Sequence, residues 1–311
     1  MHDAMIIGPG AVGCLLAARL CRSGRRVILV DRDPERAANL AEHGILLVEP
    51  DGSTFHARVA ASVMAAVTAP PPVVFLCVKS MGVAAALGQL RPLLSPASTV
   101  VALQNGIGHL DALAELAPRS CTVAGVTAGG AHSTGVGQVV AAGAGITTIG
   151  AYPRNASCHP GRIETVAAML RAAGLETETV DDVLGPVWDK LLVNVGINAL
   201  TALLGCRNGE LLENPWAREV MAAAVAEGER VARTLGIGIS ADPLARTVAV
   251  CRATSANISS MLQDVRRRRP TEIEAINGAV VRLGREHGIP VAVNEMLARR
   301  VIALEQGLAT H

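Results

Sequence analysis

The sequence predicts an α/β protein in which a doubly wound, mostly parallel sheet is followed by a domain made of helices alone. Short apolar runs alternate with helical patterns as far as about residue 180, and only helix-length patterns follow. At 311 residues the chain is also long enough for two domains. The change of pattern predicts an α/β domain over residues 1–181 and a helical domain over residues 182–311.

Composition argues against several classes of partner. Lysine plus arginine (28) nearly equals aspartate plus glutamate (27), and aromatic residues make up only 2% of the chain. A nucleic-acid surface needs excess positive charge and stacking rings, so we expect no nucleic-acid partner. No apolar run reaches the roughly 18 residues of a membrane span, and we expect neither a membrane segment nor a cleaved signal.

The seven cysteines are scattered, odd in number and never spaced as C-x-x-C. This pattern predicts reduced core residues rather than bridges, zinc ligands or a redox pair. No histidine has the spacing of a metal ligand, so we expect no metal site. Together these observations predict a cytoplasmic protein.

A glycine-rich turn lies between the first predicted strand and the first predicted helix. It reads G-P-G-A-V-G over residues 8–13, and a second apolar strand follows at 27–30. A strand, turn, helix and strand within about 30 residues are the context that a dinucleotide-binding motif requires. Gly8 would allow the tight turn, Gly10 the approach of a pyrophosphate, and Gly13 the contact of helix on strand. The sequence therefore predicts a Rossmann-type dinucleotide-binding domain.

The residues that end the second strand leave the choice of dinucleotide open. Asp31 could accept hydrogen bonds from an adenosine ribose and would repel a 2′-phosphate, which favours NAD. Arg32 could pair with that phosphate, which favours NADP. Alternatively, both residues simply begin a solvated loop before a helix that starts at Asp33-Pro34.

Two further apolar runs end in polar residues. The run 73–78 ends at Lys79, and the run 100–103 is followed by Gln104, Asn105 and a glycine. Ligands of doubly wound sheets collect beyond the carboxyl ends of the strands, which makes Lys79 and Asn105 candidate ligand contacts. The alternatives are an ordinary solvated lysine and an ordinary turn.

A polar stripe marks the first helix of the helical domain. Lys190, Asn194 and Asn198 are spaced four residues apart and so lie on one face of a helix that is otherwise apolar. A buried ammonium and buried amides need hydrogen-bonding partners, and a substrate is one candidate. The alternatives are that the stripe faces water or that the amides bond to nearby backbone groups. Helices are predicted at residues 183–204, 215–235, 242–264, 270–287 and 292–307.

With these residues in view, the chain resembles the ketopantoate reductase (2-dehydropantoate 2-reductase) family over essentially its whole length. The glycine motif is common to many dehydrogenases, whereas the later motifs in this order and spacing are specific. The matching segments are I-I-G-P-G-A-V-G at 6–13, C-V-K-S at 77–80, Q-N-G-I-G at 104–108, W-D-K-L-L-V-N-V-G-I-N-A-L-T-A-L at 188–203, N-G-E-L at 208–211, N-I-S-S-M-L-Q-D at 257–264 and T-E-I-E-A-I-N-G at 271–278.

The resemblance implies a role for each matching residue. Lys190 takes the position of the family's proton donor, and Arg32 takes the place where its members read the 2′-phosphate, which favours NADPH. Asp31 is less typical there and keeps NADH possible. The positions implied to bind cofactor are Gly8, Pro9, Gly10, Ala11, Val12, Gly13, Arg32, Lys79, Asn105, Ala131 and Glu272. The positions implied to bind substrate are Asn105, Lys190, Asn194, Asn198, Asn208, Asn257 and Ser260.

The resemblance also implies an all-α C-terminal domain like that of 6-phosphogluconate dehydrogenase, with the active site in the cleft between the domains. The expected reaction is NADPH-dependent reduction of 2-dehydropantoate to pantoate, a step toward pantothenate and coenzyme A. The expected partner is a small 2-oxo acid, and a homodimer is possible. Two alternatives stay open, namely a reductase of the same fold acting on a different 2-oxo acid and an NAD(P)-binding redox sensor without turnover.

Overall fold

The computed structural model describes residues 2–143, 145–154 and 158–309. The chain forms two compact units. The first comprises the residues up to Gln104 together with His109–Val183, and the second comprises Asn105–Gly108 and the residues from Leu184 onward. The short segment Asn105–Gly108 therefore belongs with the helical part of the molecule, although the sequence around it belongs to the α/β part.

The first unit contains two sheets. The larger has the strand order β12-β11-β8-β7-β6-β1-β2-β5, and all its neighbouring strands are parallel except β11 and β8. The smaller has the order β4-β3-β10-β9. The strands are β1 Ala4–Ile7, β2 Val27–Asp31, β3 Ile45–Val48, β4 Thr54–Ala57, β5 Ala60–Val63, β6 Val73–Leu76, β7 Thr99–Ala102, β8 Cys121–Thr127, β9 Gly130–Gly135, β10 Gln138–Ala142, β11 Thr147–Ala151 and β12 Thr177–Thr179.

Every residue of β1, β6 and β7 is buried, as the continuous apolar runs in the sequence predict for central parallel strands. Besides two short 3₁₀ helices, Met64–Ala66 and Arg91–Leu93, the described residues of this unit form five α-helices. They are α1 Ala11–Arg22, α2 Pro34–His43, α3 Ser80–Leu90, α4 Leu110–Ala114 and α5 Pro160–Ala172. Helix α2 begins where the sequence predicts, because the Asp33 side chain accepts hydrogen bonds from the backbone N–H groups of Glu35 and Arg36.

The second unit is helical in all its described residues that have regular structure. Its helices are α6 Leu184–Leu204, α7 Glu210–Glu213, α8 Pro215–Thr234, α9 Pro243–Ala253, α10 Ser260–Arg266, α11 Asn277–Glu286 and α12 Ala292–Ala309. Helix α6 packs against α8, α9, α10 and α12, so it is the central helix of this unit. Its length and composition would allow it to cross a membrane, but 72% of that stretch is buried inside the protein, as expected of a core helix.

Two predicted helices are shorter than expected. The stretch 242–264 forms α9 and α10 with a loop at 254–259 between them, because the Ser259 side chain caps α10 by accepting from the N–H of Leu262. The stretch 270–287 becomes helical only from Asn277. Strands β5 and β9 were not predicted, and the sequence G-A-H-S-T-G of β9 explains this since it lacks apolar alternation.

The prediction that the cysteines form no bridge is wrong for one pair. Cys121, at the start of β8, is disulfide-bonded to Cys158, just before α5, with 4.6 Å between their Cα atoms. The two residues are 37 positions apart, so their spacing carries no sign of the pairing. The other five cysteines are thiols, and they include the buried Cys14 and Cys251.

Candidate active site

The glycine turn at residues 8–13 uses each of its three glycines differently. Gly8 has a φ of +98° and lies close to the segment that follows β6. A Cβ there would be 2.7 Å from the backbone nitrogen of Val78. A Cβ on Gly13 would be 2.2 Å from the carbonyl oxygen of Gly8. A Cβ on Gly10 would meet nothing within 4 Å. The first and third glycines are therefore required by packing, whereas the second leaves open space at the start of α1.

This open space adjoins the N-terminus of a 12-residue helix. Gly10 precedes α1, and no side chain caps the first turn of that helix, which also carries no acidic residue. The first backbone N–H groups of a helix lack partners within the helix and attract anions. The turn can thus receive a phosphate group without displacing any side chain.

At the end of β2, Asp31 and Arg32 differ in exposure and partners. Asp31 is buried, and its two carboxylate oxygens accept hydrogen bonds from Nε and Nη2 of Arg36 at 2.5 and 2.8 Å. The N–H of Asp33 also donates to Asp31 at 3.1 Å. Arg32 is exposed and lines, with Asp31, a cavity of about 510 Å³. The other lining residues are Val63, Met64, Ala65, Val67, Gln89 and Leu93.

Two other predicted cofactor contacts lie in the first unit. Lys79 follows β6 and immediately precedes α3, and Ala131 lies on β9 opposite Ala141. The amide of Gln104 connects the ends of neighbouring strands, since its Nε2 donates to the carbonyl oxygens of Leu76 (2.8 Å) and Val78 (3.3 Å). The polar ends of β6 and β7 are thereby held together beside Lys79.

The polar stripe of α6 lies in the second unit. Asn198 is buried, whereas Lys190 and Asn194 are partly exposed. Burial lowers the pKa of Lys190 from 10.5 to about 8, and the nearby carboxylate of Glu272 opposes this shift. Lys190 thus combines a proton that it gives up readily with a position among amides, which is the combination that a general acid requires.

Asn105 and Glu272 are brought together although they are 167 positions apart. Nδ2 of Asn105 donates to Oε2 of Glu272 at 3.5 Å, and the N–H of Ile107 donates to the carbonyl of Ala275 at 3.2 Å. Gly106 has a φ of +77°, and a Cβ there would lie 2.3 Å from the same carbonyl oxygen. The Q-N-G-I-G motif therefore needs its first glycine, Gly106, in order to place Asn105 beside Glu272. The carboxylate of Glu272 in turn raises the pKa of Lys190.

Asn208, Asn257 and Ser260 lie in or beside two loops that contact each other. The N–H of Asn208 donates to the carbonyl of Asn257 at 3.1 Å, and the hydroxyl of Thr201 on α6 donates to Ser259 at 2.7 Å. Asn208 is buried, whereas Asn257 and Ser260 are exposed. All seven predicted substrate residues and Glu272 belong to the second unit, and the other predicted cofactor residues belong to the first.

Several buried polar residues that connect α8, α11 and α12 to α6 were not predicted. The buried carboxylate of Glu227 accepts hydrogen bonds from the N–H groups of Val293 and Asn294, both at 2.9 Å. Asn294 accepts in turn from Nδ2 of Asn277, which also donates to the carbonyl of Val195 on α6 at 3.4 Å. A single polar residue in an apolar helical pattern was the available signal, but the sequence does not reveal its partners.

These features define a class of protein. A Rossmann-type unit with an open glycine turn, followed by a helical unit that carries a lysine of lowered pKa among asparagines, is the architecture of a two-domain NAD(P)-dependent oxidoreductase. Among the residues that the structure describes, no group of three or more His, Cys, Asp or Glu could hold a metal ion.

Comparisons with known proteins identify the family. The model "Ketopantoate reductase PanE/ApbA" matches residues 4–154, and "Ketopantoate reductase PanE/ApbA C terminal" matches residues 182–305. A 2-dehydropantoate 2-reductase of Halobacterium salinarum is 38% identical over 94% of this chain and 96% of its own. The crystal structure of a PanE/ApbA family ketopantoate reductase from Ralstonia eutropha has a TM-score of 0.88 and 30% identity, covering 98% of this chain and 99% of its own. The chain belongs to the ketopantoate reductase family.

A further similar structure bears a different activity in its name. A ternary structure of D-mandelate dehydrogenase with NADH and anilino(oxo)acetate has a TM-score of 0.89 and 26% identity, and it covers 98% of this chain and 99% of its own. Proteins of this fold therefore include enzymes that are named for different acids.

Proposed function

We propose that this protein reduces 2-dehydropantoate to pantoate with NADPH, a step toward pantothenate and coenzyme A. The observation that carries the proposal is the state of Lys190, whose pKa is lowered by burial to about 8 on a helix face shared with Asn194 and Asn198. The relatives named 2-dehydropantoate 2-reductase, which cover nearly the whole chain, support the choice of substrate.

Lys190 is the proposed proton donor. At neutral pH its Nζ is still mostly protonated, yet it releases a proton more easily than an ordinary lysine does. When the carbonyl carbon of the substrate gains a hydride, negative charge grows on the carbonyl oxygen, and Nζ supplies the proton there. Glu272 keeps enough of the lysine charged for this purpose, because its carboxylate raises the pKa that burial lowers.

The remaining residues of the second unit would hold the substrate. The amides of Asn105, Asn194 and Asn198 and the hydroxyl of Ser260 offer both donors and acceptors, which suits a 2-oxo acid that carries a carboxylate and a hydroxyl. Asn208 and Asn257 complete this set of polar groups. Their proposed role is orientation, since the redox chemistry belongs to the dinucleotide.

In the first unit, the dinucleotide would be held by residues 8–13, Arg32, Lys79 and Ala131. The resemblance also implies cofactor contacts for Asn105 and Glu272, which belong to the second unit. The fit rests on the open space at Gly10 and on the uncapped N-terminus of α1, which together accept a pyrophosphate. When bound, the dinucleotide supplies the hydride.

The proposed preference for NADPH rests on the state of Asp31. Because Arg36 and the N–H of Asp33 engage both carboxylate oxygens, Asp31 has little capacity left for ribose hydroxyls. Arg32 is exposed beside the same cavity and can meet a 2′-phosphate. We expect Arg32→Ala to raise the KM for NADPH about tenfold with little change for NADH. Arg36→Met should improve the use of NADH, because it frees Asp31; equal use of both cofactors by the unaltered protein would contradict the preference.

The function is tested by following the absorbance of the nicotinamide with a panel of 2-oxo acids and each cofactor. We expect the highest kcat/KM with 2-dehydropantoate and NADPH. If the protein binds NADPH tightly but none of the acids leads to NADPH oxidation, the protein is instead a sensor that does not turn over.

The second candidate function is reduction of a different 2-oxo acid. It is favoured by the similarity to D-mandelate dehydrogenase, at 26% identity. The panel therefore includes benzoylformate, the 2-oxo acid that corresponds to mandelate. A kcat/KM for benzoylformate or any other acid that exceeds the value for 2-dehydropantoate would replace the first assignment with this one.

A further inference from the structure

Three described side chains of the second unit, Asn208, Ser240 and Asn277, each have a buried polar atom without a hydrogen-bond partner, and Asn208 is the one among the predicted substrate residues. Asn208 is 7% exposed, and its backbone N–H and carbonyl are both used: the N–H donates to Asn257, and the carbonyl accepts from the thiol of Cys251 at 2.9 Å. Its Nδ2 donates to the hydroxyl of Thr254 at 2.9 Å. Its Oδ1 is buried and has no hydrogen-bond partner among the described residues. A buried acceptor without a donor is costly, so Oδ1 marks a place for a donor.

Thr254 determines which end of the Asn208 amide remains available. A hydroxyl has one proton, and that of Thr254 is donated to the carbonyl of Val250 at 2.7 Å, one turn earlier in the chain. The oxygen of Thr254 can therefore only accept from Asn208, and only Nδ2 of the amide can donate. This fixes the amide with Nδ2 toward Thr254 and Oδ1 toward the unpaired position.

The loops around Asn208 hold this orientation firmly. The N–H of Gly209 donates to the carbonyl of Ser255 at 3.1 Å, and a Cβ on Gly209 would be 2.7 Å from Cβ of Ser255. The backbones of the two loops are thus in direct contact at Gly209, which follows Asn208, and at Ser255, which follows Thr254. These contacts hold the backbone beside Asn208 and Thr254, and the hydrogen bonds of Thr254 decide which atom of the amide faces it.

We infer that Thr254 is a specificity-determining residue that makes Asn208 present a hydrogen-bond acceptor, so that this site selects 2-oxo acids bearing a hydrogen-bond donor, such as a hydroxyl, distant from the reacting carbonyl. A carboxylate at that place has only acceptor oxygens and is rejected, and a hydrogen atom leaves Oδ1 unpaired. This inference rests on the proposed function, because it takes Asn208 to contact the substrate.

The test compares three acids that differ only at C4 of the substrate. They are 2-dehydropantoate, which carries a hydroxyl there, 3,3-dimethyl-2-oxobutanoate, which carries a hydrogen, and 3,3-dimethyl-2-oxobutanedioate, which carries a carboxylate. For the unaltered protein we expect kcat/KM to fall about 10- to 100-fold from hydroxyl to hydrogen, the cost of one buried unpaired acceptor. The carboxylate should be the poorest of the three substrates.

Thr254→Val keeps the shape of the side chain and removes its oxygen, so the amide of Asn208 is free to turn over. We expect the preference for hydroxyl over hydrogen to fall about tenfold, and the carboxylate to gain relative to the hydroxyl. Thr254→Ser should restore the original preference. Thr247→Val is the matched control, since the Thr247 hydroxyl donates to the carbonyl of Pro243 in the same helix at 2.8 Å and forms no hydrogen bond with an asparagine among the described residues.

The outcomes separate the two proposals. If Thr254→Val lowers kcat/KM equally for all three acids, Thr254 is merely structural and the inference fails. It fails as well if the unaltered protein reduces 2-dehydropantoate no better than the analogue without the hydroxyl. If Thr254→Val does not fold, Asn208→Ala provides the same test and should abolish the preference for the hydroxyl. If the unaltered protein does not reduce 2-dehydropantoate at all, it is the proposed function that fails.

Discussion

The two candidate binding regions are built in opposite ways. The glycine turn of residues 8–13 is made of backbone, and its critical contact joins two residues five positions apart, Gly13 and the carbonyl of Gly8. The polar cluster of the second unit is made of side chains from distant segments, such as Asn208 with Thr254 (46 positions) and Asn105 with Glu272 (167 positions). The packing of the first region should therefore tolerate no added atom at Gly8 or Gly13, and the second region should tolerate no lost polar atom.

The largest effect is expected from removing the ammonium of the second region. Lys190→Ala should lower kcat by roughly 10²- to 10⁴-fold, the usual contribution of a general acid, while cofactor binding by the first unit is preserved. The sequence contains only one other lysine, Lys79. Lys79→Ala is the matched control and should raise the KM for the cofactor more than it lowers kcat.

The pH dependence of the same reaction follows from the direction of the pKa shift. Lys190 must be protonated to donate, and its pKa is about 8, so kcat/KM for reduction should be level below that pH and fall tenfold per unit above it. Initial rates of nicotinamide oxidation, measured from pH 6 to pH 10, would check this profile. A rate that stays level to pH 10, or a Lys190→Ala variant with unchanged kcat, would remove the lysine from the chemistry.

The first region can be broken by a single methyl group. Gly13→Ala places a Cβ 2.2 Å from the carbonyl oxygen of Gly8, and we expect it to lower the free energy of unfolding by about 3 kcal/mol. Gly10→Ala is the matched control, because its Cβ meets nothing within 4 Å. That variant should be as stable as the unaltered protein in thermal melts but should bind NADPH at least tenfold more weakly. Equal stability of the two variants would contradict the packing argument.

The same contrast explains which features of the structure could be predicted from the sequence. The glycine turn, the buried strands and the starts of α2 and α8 depend on neighbours along the chain, and all were predictable from local patterns. The stripe of α6 was equally local. The roles of residues outside it, such as Asn208 and Glu272, came only from the resemblance to a family.

Several features that were not predicted depend on pairing in space. Nothing near Thr254 in the sequence indicates that it bonds to Asn208, and the bridge between Cys121 and Cys158 leaves no trace in their spacing. The break at residues 254–259 was hidden because a capping serine inside an apolar pattern also occurs within helices. Partners that are brought together only by the fold are therefore the part of the site that a single sequence does not reveal.

Substitution of the buried Glu227 tests whether α6, which carries Lys190, Asn194 and Asn198, depends on the hydrogen-bond network that connects it to α8, α11 and α12. Glu227 accepts three hydrogen bonds from Val293 and Asn294, and Asn294 is connected through Asn277 to the backbone of α6. Glu227→Gln replaces one accepting oxygen with a donor and should cost about 2–3 kcal/mol in the free energy of unfolding. Glu229→Gln is the control, since Glu229 belongs to the same helix and pairs with Arg233 at the surface. A loss no larger than that of the control would show that this network does not support α6.

The smallest effect is expected in the first unit, from the burial of His109. His109 is 2% exposed, its Nδ1 has no hydrogen-bond partner among the described residues, and burial lowers its pKa from 6.5 to about 4. Between those two pH values the unfolded chain binds a proton that the folded chain does not, so stability is complete above pH 6.5 and falls as the pH decreases. We expect a loss of about 2 kcal/mol from pH 7 to pH 5. His109→Leu should remove most of this dependence in thermal melts, whereas replacing the exposed His287 by Gln should leave it unchanged. If the His109 variant retained the full dependence, the burial of this imidazole would not be its cause, and other titratable groups of the chain would have to account for it.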